Sequence, residues 1–399
     1  MRLQLIFLFL LFSTIVSAQQ SDEKKSLEKN EVDFLFSYYR QDGDNSAVTG
    51  GKGTEKLTDL ASTIIVNVPV SPSKSFILEH GTSYYSSASS DNINPNTVSS
   101  ASSTNLVHHL NVTTVYKDTA HNSQIGIKVG GTHQNNFGSL SFGGYYVKSS
   151  KNKNRELKVL GSFTMDKWGL YYHIYKLYPY ELKQNVDLVD TDKRYSYNLS
   201  FAYKQVVTKR LQVQLSGEFI YQTGLLSTPF HRVYFKTETP AKVERLPSHR
   251  FRMPLALRLN YFVFDKLIIR SLYRFYTDDF GIRGNTINLE LPYKVTNFFS
   301  VYPFYNFHTQ TAARFFNGYK EHDISEHYYT SDYDLSGLNS AEFGAGFFYS
   351  PVYAIARFKF SRASNHYISL KKWETRYGYY KRSTGLHASI ISTHFGFIF

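Results

Sequence analysis

From residue 31 onward, apolar side chains recur at every second position in one segment after another. In 31–41, Val32, Phe34, Phe36 and Tyr38 share a face. In 195–207, Tyr195, Tyr197, Leu199, Phe201, Tyr203 and Val207 oppose Ser196, Asn198, Ser200 and Lys204. In 254–263, Leu255, Leu257, Leu259, Tyr261 and Val263 oppose Arg258 and Asn260, and in 267–277 Leu267, Ile269, Tyr273 and Phe275 oppose Arg270 and Arg274. In 286–295, Ile287, Leu289, Leu291, Tyr293 and Val295 oppose Asn288, Glu290 and Lys294. A period of two is the signature of a strand with two unlike faces. The pattern predicts about sixteen antiparallel strands, at 31–41, 55–69, 75–87, 105–117, 122–132, 137–148, 154–165, 194–208, 211–223, 250–264, 267–279, 285–295, 298–309, 340–350, 353–363 and 383–399. Fourteen or eighteen remain open, since boundaries read from sequence carry an error of about 2–4 residues.

The connections carry a second pattern. Very short ones (71–74, 118–121, 208–210, 265–266 and 296–297) take turns with mostly long ones (88–104, 166–193, 224–249, 310–339 and 364–382). Short turns at one rim and long loops at the other are the layout of an up-and-down transmembrane β-barrel. Strands of about 10–14 residues also exceed the roughly 5–6 usual in soluble sheets. Aromatic pairs crowd the strand ends, as in Tyr38-Tyr39, Tyr84-Tyr85, Tyr145-Tyr146 and Tyr171-Tyr172, where an interfacial girdle belongs. The chain closes on an alternating strand, with Phe395, Phe397 and Phe399 on one face. The expected fold class is therefore all-β, with polar faces turned to a lumen and apolar faces to lipid.

Composition narrows the function classes. There are 33 Tyr and 32 Phe, far too many aromatics for a disordered chain. The cysteine count is 0, which removes disulfide scaffolds, thiolate metal sites and a cysteine nucleophile. Arg2, the apolar run 3–16 and the small residues before Gln19 form the three parts of a secretory leader, with cleavage expected after Ala18. The expected organisation is a leader at 1–18, a polar lead at 19–30 and a barrel at 31–399, placed in the cell outer membrane. Its expected partners are outer-membrane lipid, lipopolysaccharide and the machinery that inserts barrels. The net charge of +13 is spread over loops and lumen without a phosphate-binding or RNA-binding motif, so no nucleic-acid partner is expected.

Several groups could carry chemistry. Arg258, Arg270 and Arg274 lie on neighbouring strands and, with Glu290 and Lys294, face the lumen. Interior salt bridges are the expected use of these charges, and a basic wall that attracts anions is the alternative. The segment 42–55 packs Asp42, Asp44, Asn45 and Glu55 among four glycines. Oxygen ligands on a Gly-rich loop suit a hard cation, but the acidic residue that completes a calcium loop is absent at Gly53. A self-capped turn is the plainer expectation. His308, His322 and His327 fall in or beside long loops. Metal capture there is the alternative to ordinary loop histidines. Asp278-Asp279 and His322-Asp323 are the pairs nearest to a rim hydrolase, but no flanking pattern supports catalysis and none is expected.

The run SAVTGGKGTE at 46–55, following an alternating first strand, resembles a family of uncharacterised exported proteins of Gram-negative bacteria. The runs at 91–95, 151–154 and 229–233 fit it more loosely. The resemblance extends over most of the chain. It implies an outer-membrane barrel without an established activity and, through gene neighbourhood, periplasmic redox or flavin-related partners. The expected role is passage or capture of a small solute or metal, with a bound metal cation as the only cofactor in view. A closed structural or assembly barrel and an outer-rim hydrolase are the alternatives.

Overall fold

The computed structural model describes residues 29–87, 104–135, 137–171, 188–237, 240–359 and 367–399. The expected leader, most of the polar lead and the 91–95 run lie outside the described residues. Sixteen spanning strands follow one another around the sheet. They are β1 (Glu31–Asp42), β2 (Leu57–Ser71), β3 (Lys74–Ser87), β4 (Thr104–Asp118), β5 (Ser123–Gln134), β6 (Phe137–Ser149), β7 (Arg155–Tyr171) and β8 (Leu188–Val206). The second half comprises β9 (Leu211–Gly224), β10 (His249–Phe264), β11 (Leu267–Asp278), β12 (Arg283–Glu290, resumed at Tyr293–Lys294), β13 (Phe299–Gln310), β14 (Leu338–Tyr349), β15 (Tyr367–Arg382) and β16 (His387–Ile398). β1 pairs antiparallel with both β2 and β16, so the sheet closes on itself and has no free edge. The pairs Glu31–Ile398 and Glu31–Asn67 set the register of the seam. In hydrocarbon a closed barrel satisfies every inter-strand donor and acceptor, which an open sheet cannot do.

The period of two is honoured on both faces. On β4 and β5, Leu110, Val112, Tyr116, Ile125, Ile127 and Val129 each keep more than two-fifths of their surface exposed, side by side. A continuous apolar surface of that kind is solvated by lipid rather than water. Tyr116, Tyr146, Tyr203, Tyr261 and Tyr293 are exposed near the rim that carries the chain ends, and Tyr84, Tyr221 and Phe251 near the opposite one. They form the two girdles expected of a spanning barrel. The inner face is polar and cross-linked. Glu79 reaches His109 at 3.4 Å and Lys128 at 3.8 Å, while Asp33 joins Lys372 at 2.8 Å and His394 at 2.7 Å.

Two features differ from the pattern read in sequence. The expected strand at 353–363 and loop at 364–382 are reversed. The spanning strand is β15, and among the described residues of the earlier segment Ala356–Lys359 pair, against Tyr367–Leu370 near the terminal rim. β15 carries Lys372, Glu374 and Arg376 on its inner face between Lys371 and Lys381, and this density of charge disguised its alternation. The loop rim is also less uniform than expected, for the connections 135–136, 279–282 and 383–386 are short.

The two clusters of buried apolar side chains among the described residues lie in the loops rather than in the strands. Val233, Phe235 and Tyr329 form one buried cluster, and Phe280, Ile282 and Ala313 form another. They belong to the loops 225–248, 279–282 and 311–337, which pack together as a cap at the loop rim. The Arg232–Val233 and Lys242–Val243 hairpin stiffens the first of these loops, and Lys236 N donates to His322 O at 2.9 Å to bind it to the third. The 43–56 loop joins them through Gly50 and Gly51, with φ of 81° and 84°. A Cβ on Gly50 would stand 2.4 Å from the Tyr234 ring, and one on Gly51 2.8 Å from Ser331 O. Glycine is needed at both places for backbone conformation and for close approach.

Candidate functional site

Strands β10 to β15 build the basic side of the lumen. Register places Ala256 opposite Arg274, Arg258 opposite Leu272 and Asn260 opposite Arg270, so all three arginines point inward from two adjacent strands. Thr286, Asn288 and Glu290 continue the same rows on β12, and His308 and Asn306 continue them on β13. Together they enclose a cavity of about 560 Å³, which Glu342, Arg376 and Tyr380 complete from β14 and β15. Its charged lining is four arginines against two glutamates.

The pairing within this cavity is uneven. Arg270 Nη1 meets Glu290 Oε1 at 2.7 Å, and Glu342 accepts from Asn306 Nδ2 at 2.7 Å. The Arg376 guanidinium lies over the Phe304 ring at 4.2 Å. Arg258 and Arg274 reach no carboxylate among the described residues and stay exposed to the lumen. The expectation that every interior charge would find a partner is therefore met at Arg270 but not at these two. Two guanidiniums left unneutralised on neighbouring strands repel each other and raise the local positive potential. Lys294 stands on the short Tyr293–Lys294 stretch near the terminal rim, outside the lining of this cavity.

A second cavity of about 390 Å³ lies on the seam side, lined by Leu35, Ser37, Thr63, Glu374, His394 and Arg376 among others. Arg376 borders both spaces. Sequence reasoning missed it because it placed residue 376 in a loop. The inward sequence Lys372, Glu374, Arg376 was the signal that could have recovered it.

The other candidates have separate duties. His308 Nδ1 lies 2.8 Å from Thr286 Oγ1 and Nε2 lies 3.1 Å from Gln310 Oε1, so both ring nitrogens are engaged within the lumen. His322 is wholly buried in the cap, with Nδ1 2.5 Å from Glu326 Oε2 and Nε2 3.0 Å from Thr330 O. Both ring nitrogens of His322 are thus engaged by neighbours within the cap. His327 instead packs on the Tyr328 ring, near Arg245. The 42–55 set does not converge on a point. Asp42 turns to Lys56 at 3.8 Å, the Asn45 amide donates to the Thr384 carbonyl, and Asp44 lies exposed. Burial, helped by the charge of Asp334, pushes the Glu55 carboxyl up to about 7. Asp278 is clamped by Arg250 and Asp279 accepts from Phe251 N, so both carboxylates of this rim pair hold structural contacts.

The closed sheet, apolar belt and charged lumen define a sixteen-stranded transmembrane β-barrel. Residues 108–383, more than half of the 399, match the family described as "Protein of unknown function (DUF3570)", and the chain belongs to that family. The match includes the runs at 151–154 and 229–233 but starts beyond 46–55. No curated protein matches the sequence. Among solved structures the chain is similar to a bacterial polysaccharide outer membrane secretin, at 9% identity and a TM-score of 0.48, over 94% of this chain and 100% of that one. It is also similar to the siderophore receptor PirA from Pseudomonas aeruginosa, at 8% identity and 0.42, over 94% and 81%. OccAB3 of Acinetobacter baumannii stands at 8% and 0.37, over 93% and 99%. Identities this low carry no residue role from those proteins to this one.

Proposed function

We propose that this chain is an outer-membrane barrel that admits small anionic solutes to a basic lumen beneath a packed loop cap. The observation that carries this reading is the pair Arg258 and Arg274, which line a polar cavity of about 560 Å³ without a carboxylate partner among the described residues. A barrel of sixteen strands is wide enough for an aqueous interior. Unpaired cations on its wall concentrate anions and disfavour cations. The apolar belt is solvated by lipid tails. The basic surface of a chain with net charge +13 suits contact with phosphorylated lipid head groups.

Planar bilayers under an asymmetric potassium chloride gradient test this proposal. The purified barrel is expected to give a reversal potential on the chloride side. The double substitution Arg258→Glu with Arg274→Glu is expected to move it to the potassium side. A reversal potential untouched by the double substitution would remove the basic wall from the account. The second reading, a closed structural barrel, draws on the cap itself, whose apolar clusters sit over the mouth. That reading predicts silent bilayers for the intact chain.

A further inference from the structure

The cap holds a cluster that neither the lumen nor the strand pattern accounts for. His231 and Glu244 belong to the 225–248 loop, and Asp332 to the 311–337 loop. His231 Nδ1 lies 3.5 Å from Glu244 Oε1 and 3.7 Å from Asp332 Oδ2, and the three ligand atoms all lie within 4.8 Å of one another. A tetrahedral ion with bonds of about 2.0–2.1 Å to nitrogen and oxygen holds its ligands about 3.3 Å apart. The side chains are thus spaced for coordination and too far apart for good hydrogen bonds.

Three further observations point the same way. His231 Nδ1 is sealed from solvent and has no hydrogen-bond partner. The Glu244 side chain is only 1% exposed, and the cationic group in ion-pair reach of it is the His231 imidazole. Asp332, 23% exposed, likewise has only the His231 imidazole in ion-pair reach among the described residues. Two carboxylates sharing one imidazole leave a charge deficit that a divalent ion cancels, and buried charge without compensation is costly.

The surroundings orient the ligands. Thr228 N donates to Glu244 Oε2 at 2.7 Å, and the buried Thr330 hydroxyl donates to Oε1 at 2.5 Å. Thr330 Oγ1 in turn accepts from Asp332 N at 3.0 Å, so one hydroxyl ties the two carboxylate residues together. Supporting bonds of this kind are what fix ligands around a metal. His231 and Asp332 keep 19% and 23% of their side chains exposed, so the cluster lies close to the surface of the cap.

The geometry points to a divalent transition-metal site formed by His231, Glu244 and Asp332, which staples the two long cap loops together. One imidazole with two carboxylates selects an ion of borderline hardness such as Zn²⁺ over Ca²⁺ or Mg²⁺, which take oxygen alone. The site is distinct from the basic lumen and stands independently of the anion reading.

Zinc alone is the probe. Full-length protein in detergent micelles is stripped with a chelator and titrated with Zn²⁺ against a chromophoric competitor. Folding is followed by the shift in gel migration on heating. One equivalent per chain is expected, with affinity lowered at least about a hundredfold in Asp332→Asn and in His231→Gln, since even supporting residues cost ten- to a hundredfold. Asp44→Asn is expected to bind like the unaltered chain. Zn²⁺ is also expected to slow protease cleavage in 225–248 and 311–337 of the unaltered chain but not of the two variants. Glu244 is left intact because its burial makes it a risk to folding. Absence of stoichiometric uptake, or equal affinity in the unaltered chain and both folded variants, would overturn the site.

Discussion

Replacing Arg250 by alanine is expected to destabilise the folded barrel by about 3–5 kcal/mol, the cost of stranding one partner of a buried ion pair. Arg250 Nη2 stands 2.5 Å from Asp278 Oδ2, and the Asp278 side chain is wholly buried. The same carboxylate accepts from Tyr276 Oη at 2.8 Å and, through Oδ1, from Ile282 N at 2.9 Å. The guanidinium also lies over the Phe280 ring at 4.5 Å. One residue at the start of β10 therefore anchors the end of β11, the 279–282 turn and a cap cluster. Urea unfolding in lipid vesicles is the measurement. Arg250→Lys should fall between the two, because lysine keeps the charge but not the fork that arginine presents to a carboxylate. A loss below about 1 kcal/mol, the value of an exposed pair, would mean that water reaches Asp278.

The second large effect is expected at Phe235, which is 1% exposed and meets the Tyr329 ring edge-on at 5.2 Å. Truncating a buried phenylalanine costs about 3–5 kcal/mol. Here the loss falls on the cap, since the strand ladders do not include residue 235. Amide exchange should quicken at Lys236, Arg245 and Tyr329, whose N–H groups join the two long loops, while β10 and β11 keep their protection. Exchange that quickens equally in the barrel strands would show that cap and barrel unfold as one unit.

The part of this structure legible in the sequence is the part that lipid enforces. A strand in hydrocarbon must show apolar groups on one face and can show polar groups only on the other. Leu255, Leu257 and Leu259 against Arg258 and Asn260 could be assigned to outside and inside before any fold was known. Glu290 and the three arginines of the wall stand on the inner face for the same reason. β15 was not legible, because Lys381 and Thr375 on its outer face weaken the contrast with Lys372, Glu374 and Arg376 on its inner face. The cap followed no period at all. His231, Glu244 and Asp332 are brought together by loops whose course depends on Gly50 and Gly51 from a third segment, and no spacing in the chain announces that meeting. The histidines that spacing did suggest, His322 and His327, are turned to different neighbours.

The most direct measurement uses the cysteine count of 0, which lets single cysteines be introduced without background. Spin labels placed one at a time at 255 to 260 and at 270 to 275 report collision with a lipid-soluble and a water-soluble quencher in reconstituted vesicles. The account predicts strict alternation, with 255, 257, 259, 271, 273 and 275 reached from lipid and 256, 258, 260, 270, 272 and 274 reached from water. Labels that alternate in the opposite phase, or that all report water, would contradict it.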